Sequence, residues 1–127
     1  MDFTGLPSME FSFTLSVKGS ETNKLYEGNF VYCRLNYRAK AEAAKLTSQL
    51  SGDLENIDSS IRFMNSILGV LRFGLTDSPK WWGDSAFGLD LYDDNVVIEI
   101  YKKVDEFEKN WSREVNKSPS KPKQKDE

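Results

Sequence analysis

From Phe11 to Lys18 apolar and polar residues alternate: Phe11, Phe13, Leu15 and Val17 on one side, Ser12, Thr14, Ser16 and Lys18 on the other. A period of two predicts a strand with one buried face. The polar stretch 19–24 (GSETNK) reads as a turn, and Tyr26, Gly28, Phe30 and Tyr32, interleaved with Glu27, Asn29, Val31 and Cys33, predict a second strand paired back as a hairpin. A lone hairpin is only marginally stable in water, so its apolar face requires a cover from the chain that follows.

From Leu35 the period lengthens. Leu35, Ala39, Ala43, Leu46 and Leu50 recur at helical spacing, with alanines small enough for close packing and Gly52 where a C-terminal cap belongs. Ile57, Ile61, Met64, Leu68, Leu71 and Leu75 form a second stripe, widened by Phe63, Ile67 and Val70. That breadth predicts the central helix of the core, capped by Asp53 and ending near Gly74. A third helix is expected after Asp93, its N-cap, with Tyr92 and Val97 as a hydrophobic staple. Val97, Ile100, Val104, Phe107 and Trp111 give it a narrow seam that can meet the second helix or a partner. The apolar pattern stops after Trp111. The expected fold is α+β: an N-terminal antiparallel β-hairpin packed on about three α-helices, with residues 1–111 as a single domain and 112–127 as a disordered Ser/Pro/Lys-rich tail.

Composition removes most chemistry. Histidine is absent and Cys33 is the sole cysteine, which excludes His-dependent hydrolases, His-ligated zinc sites, zinc fingers and an internal disulfide. With 17 basic and 20 acidic residues the net charge is −3, and no basic surface is available for nucleic acid. The tail 112–127 carries five basic and three acidic residues, leaving −5 on residues 1–111. No apolar run approaches a membrane span and the first residues do not read as a signal peptide, so a protein of a reducing cytoplasm is expected, with no membrane partner.

Residues 77–95 hold two of the three tryptophans. Two roles are open to Trp81 and Trp82: closing over the ends of the helices, or anchoring a partner; one indole can be buried while the other is presented. Asp84, Asp90, Asp93 and Asp94 lack the alternation, central glycine and terminal glutamate of a calcium loop, and capping accounts for Asp93 and Asp94. Cys33 reads as a small core hydrophobe, with no histidine to activate it. No catalytic residue, metal ligand or cofactor is expected.

The series Gly19, Thr22, Tyr26, Gly28, Phe30, an Ala-rich helix, Asp77-Ser-Pro79-Lys-Trp81-Trp82, then Gly88-Leu-Asp90-Leu91-Tyr-Asp93-Asp94-Asn95-Val96-Val97 and a helix ending Glu106, Glu108, Trp111 resembles small tailed-bacteriophage proteins of the tail-assembly-chaperone type. The likeness covers about residues 17 to 111, and its specific parts are Pro-x-Trp-Trp and Gly-x-Asp-Leu. The resemblance implies a non-enzymatic protein of the host cytoplasm that binds the tape-measure protein, keeps it soluble and recruits tail-tube subunits. An apolar helical client needs an apolar groove or helix face. The expected contacts are Trp81, Trp82, Phe87 and Trp111, and Trp82→Ala is expected to lower client solubility while leaving the fold intact. A head-tail connector, neck or minor tail protein using the same surfaces is the alternative, with an acidic host-directed inhibitor further behind. The open hairpin edge invites either cover from its own chain or homo-oligomerisation.

Overall fold

A computed structural model describes residues 6–52 and 58–117. The chain runs β1 (Glu10–Lys18), β2 (Leu25–Cys33), α1 (Tyr37–Ser51), α2 (Ser59–Gly74), β3 (Leu75–Asp77), α3 (Lys80–Asp84) and α4 (Asp94–Asn116). This is the expected α+β architecture. β1 and β2 pair antiparallel from Glu10↔Cys33 to Lys18↔Leu25. The period of two puts Phe13 and Leu15 on the same buried face as Tyr26, Phe30 and Tyr32. The short β3, which has no periodic signal of its own, adds antiparallel to β2 at Val31 and Tyr32, giving the order β1-β2-β3.

Against the sheet lie Val96, Val97, Ile100 and Val104 of α4, Ile67, Leu68 and Leu71 of α2, and Trp82 of α3. α4 contacts β1, α2 contacts α4, and α1 packs chiefly on α2. α1 opens at Asn36, whose Oδ1 accepts the Ala39 N–H at 2.9 Å, a little later than the expected Leu35. It closes at Gly52 (φ 64°), whose N–H donates to the Ser48 carbonyl at 2.9 Å, as the sequence suggests. Ala43 is its one buried residue among those described. A Cβ at Gly69 of α2 would sit 2.7 Å from the Ala43 carbonyl and the Thr47 hydroxyl, so the alanine and the glycine together set the close approach of the two helices.

Several expectations change. The early part of α2 is not core: Ile61 and Phe63 are exposed, and Phe63 meets α4 only edge-on, its ring 6.5 Å from that of Tyr101. Tyr92 is 76% exposed and forms no staple. α4 continues to Asn116, past Trp111 where the folded part was expected to stop. Asp53, Ile57 and the tail from residue 118 onward lie outside the described residues.

Candidate functional site

The tryptophan segment begins at Pro79, whose ring packs against the backbone of Gly28; a Cβ there would collide with it, so only glycine admits the proline to the sheet. One short helical turn follows, and it separates the two indoles. Trp82 is 1% exposed, edge-on to Phe30 at 6.2 Å and to Trp81 at 6.2 Å. Its buried Nε1–H has no hydrogen-bond acceptor among the described residues. Trp81 lies half-buried at the sheet margin, edge-on to Tyr26 at 5.0 Å, and its Nε1–H donates to the Glu27 carbonyl at 2.8 Å. It thereby satisfies an outward-facing carbonyl of β2. Trp111 is also committed: the Arg34 guanidinium stacks 3.7 Å from its ring centre, and its Nε1–H donates to the Pro7 carbonyl at 3.3 Å. Arg34 in turn pairs with Glu108 at 2.7 Å, and Glu108 accepts the Tyr32 hydroxyl at 2.7 Å. Burial and that carboxylate push the Tyr32 phenol well above its usual range.

Of the four expected contacts, Trp82 is therefore a core residue, and Trp81 and Trp111 tie chain segments together. Phe87 alone is presented. It stands in an unusual turn in which Ala86 (φ 53°), Phe87 (φ 57°) and Gly88 (φ 95°) all have left-handed backbones. For Ala and Phe this conformation costs about 1–3 kcal/mol each. The turn is held by Phe87 N–H to the Trp82 carbonyl at 3.0 Å, Asp90 N–H to the Ser85 carbonyl at 2.9 Å, and Gly88 N–H to the Ser85 hydroxyl at 3.2 Å. Gly88 also rests on the Trp82 indole, where a Cβ would lie 2.6 Å from Cη2. Trp82 thus positions the turn without touching solvent.

What the strained turn displays is apolar. Phe87 is 37% and Leu89 48% exposed, and they rim a pocket of about 200 Å³ floored by Leu46 and Leu50 of α1 and Leu68 of α2. Arg72 lies over the Phe87 ring at 4.1 Å, the one charged side chain lining this pocket. On another side of α1, two depressions of about 370 and 480 Å³ meet at Leu35, Lys40 and Val70, forming a mixed groove between α1, α2 and α4.

Asp93 is the residue whose role the sequence misassigns. Its side chain does not cap α4. It reaches back to the hairpin turn, where its carboxylate accepts the Thr22 hydroxyl at 2.5 Å, the Glu21 and Thr22 N–H groups at 2.7 and 2.9 Å, and the Tyr26 hydroxyl at 3.0 Å. Gly19 leaves room for it, since a Cβ there would strike the carboxylate. The Thr22 hydroxyl, opposed by burial and reinforced by the backbone N–H groups, holds the Asp93 carboxyl down to about 2. Asn95 completes the clasp, accepting from Ser20 N–H at 2.9 Å and donating to the Lys18 carbonyl at 3.0 Å. A local capping signature and a long-range anchor look alike in sequence; only the presence of Gly19, Thr22 and Tyr26 opposite decides.

The polar groups around Asp93 are consumed in fastening the hairpin to α4, and an apolar pocket beside the 86–89 turn is left open. Among the described residues no group of three or more His, Cys, Asp or Glu is placed to hold a metal ion, and no helix is long and apolar enough to cross a membrane. Compared with protein-family models, curated proteins and solved structures, the chain matches none.

Proposed function

We propose that this chain is a non-enzymatic assembly chaperone of the tailed-bacteriophage type, acting in the host cytoplasm, which binds the tape-measure protein and recruits tail-tube subunits. The observation that carries the reading is the pocket between α1, α2 and the 86–89 turn, whose rim keeps Phe87 and Leu89 in water at the expense of backbone strain. The turn covers the Trp82 indole through Gly88, while the strain at Phe87 leaves its side chain displayed, which is intelligible where that side chain meets a partner. An apolar helical segment is the ligand that such a cleft between helices accommodates. The resemblance of residues 17 to 111 to tail-assembly chaperones suggests the identity of that ligand.

Co-expression with a phage tape-measure protein is the test. The wild-type chain should keep that protein soluble and co-purify with it, and the Phe87→Ser/Leu89→Ser variant should fold normally by circular dichroism while releasing it to the pellet. A tape-measure protein equally soluble with the folded variant defeats the assignment of the pocket. Abundance of the chain in purified particles would favour a connector or minor tail protein instead.

A further inference from the structure

Independently of the client, the sheet has an open side. β1 lies at the edge of the order β1-β2-β3. The bonds Arg34 N–H to Met9 carbonyl (2.9 Å) and Gly19 N–H to Lys24 carbonyl (2.8 Å) fix its parity at both ends: odd-numbered residues bond to β2. The N–H and C=O groups of Glu10, Ser12, Thr14, Ser16 and Lys18 therefore face outward. The two ends are partly covered. The Ser8 hydroxyl lies 3.1 Å from both the Glu10 N–H nitrogen and the Glu10 carbonyl oxygen, and the Lys18 carbonyl accepts from Asn95 at 3.0 Å. Between them the outward backbone groups of Ser12, Thr14 and Ser16 have no partner among the described residues.

This bare segment lacks the usual protections of an edge. It contains no proline, no charge and no bulge, and its register with β2 is regular over the nine residues. Thr14 and Ser16 turn their hydroxyls toward β2, to Asn29 Oδ1 at 2.8 Å and Glu27 Oε2 at 3.2 Å, rather than over the edge. Its sequence is also complementary to itself. Antiparallel pairing about Thr14 sets Ser12 opposite Ser16 of a second copy and Thr14 opposite its own counterpart, all residues of the outward parity. The same register brings Glu10 opposite Lys18 at each end, while Phe11 faces Val17 and Phe13 faces Leu15 across the axis. A slip by two residues places Glu10 opposite Ser16 or Ser20 and loses both charge pairs, and an in-register parallel arrangement sets like charges together. We propose that the chain forms a two-fold homodimer by antiparallel pairing of β1 with β1 of a second copy, centred on Thr14.

Analytical ultracentrifugation of the full chain over a concentration series tests this. The wild type should pass from monomer to dimer. Glu10→Lys and Lys18→Glu, both at exposed positions, should each weaken the dimer about tenfold, because two attractive contacts become repulsive. The double reversal should restore it, and mixing the two single variants should give the heterodimer, an outcome special to this register. Amide exchange at Ser12, Thr14 and Ser16 should slow as the dimer forms. A chain that remains monomeric throughout, or a dimer indifferent to the reversals while circular dichroism shows all variants folded, overturns the proposal.

Discussion

The seam where the hairpin turn meets α4 and the turn that carries Phe87 are built on opposite principles. In the seam, Asp93 accepts four hydrogen bonds, Asn95 makes two more, and glycine at position 19 removes the last obstacle to contact. In the 86–89 turn, left-handed Ala86 and Phe87 hold two apolar side chains out of the core. The carboxylate and amide of the seam are engaged within the chain. The turn has strain and apolar surface to relieve, so a partner has something to stabilise. The conspicuous residues of the sequence, the tryptophans and Asp93, belong to the fastening; the open apolar pocket is lined by ordinary leucines and one phenylalanine.

The contrast breaks most decisively at Trp82, the platform of the 86–88 turn. Trp82→Ala should cost about 3–5 kcal/mol of stability in a denaturant titration, since the core loses its largest fully buried side chain and the 86–88 turn loses its platform. This corrects the expectation that the substitution spares the fold; a variant as stable as wild type would show that the turn stands without it.

Next comes the clasp. The Asp93 carboxyl is held at about 2, below the roughly 3.9 of an unfolded aspartate. Because the folded value is the lower one, its contribution is fully present above about pH 4 and is lost as the pH falls toward 2. Asp93→Asn should therefore be less stable than wild type at neutral pH, with the gap between the two denaturation midpoints closing across that acid window. Parallel midpoints from pH 7 to pH 2 would mean that the carboxylate does not carry the charge-assisted bonds assigned to it.

The smallest effect on stability belongs to the displayed turn. Phe87→Ser removes a side chain that remains 37% exposed, together with its stacking on Arg72. A loss of about 1 kcal/mol or less is expected in the same titration. A loss as large as that of Trp82→Ala would place Phe87 in the core and remove the contrast.

How much was legible follows from the range of each interaction. The alternation in 11–17 and 26–32 fixed two strands and their buried face, because side-chain direction in a strand depends only on parity. The stripes from Ile67 to Leu71 and from Val97 to Val104 gave the inner faces of α2 and α4, and Gly52 the end of α1. The short β3 was not legible, since three residues carry no period. Nor was the division between Trp81 and Trp82, which depends on one turn of helix anchored by Pro79 on Gly28. Of the expected contact residues, Phe87 is the one the structure leaves available; the engagement of Trp111 is not legible locally, because the Arg34 that stacks on it lies far away in sequence.

By itself, then, the sequence determined the local order: where the chain extends, where it coils, which faces are apolar, and that histidine chemistry and an internal disulfide are excluded. Those properties follow from short-range sterics and from the period of hydrophobic residues. Tertiary structure decided what each conspicuous residue is for. It turned an apparent helix cap into the anchor of a hairpin, and it buried one of two adjacent tryptophans. A leucine-floored pocket was opened beside them, and the middle of one strand edge was left without a partner among the described residues. Each of those outcomes depends on which distant groups arrive opposite one another, and on whether the last hydrogen-bonding or apolar surface finds a partner within the chain.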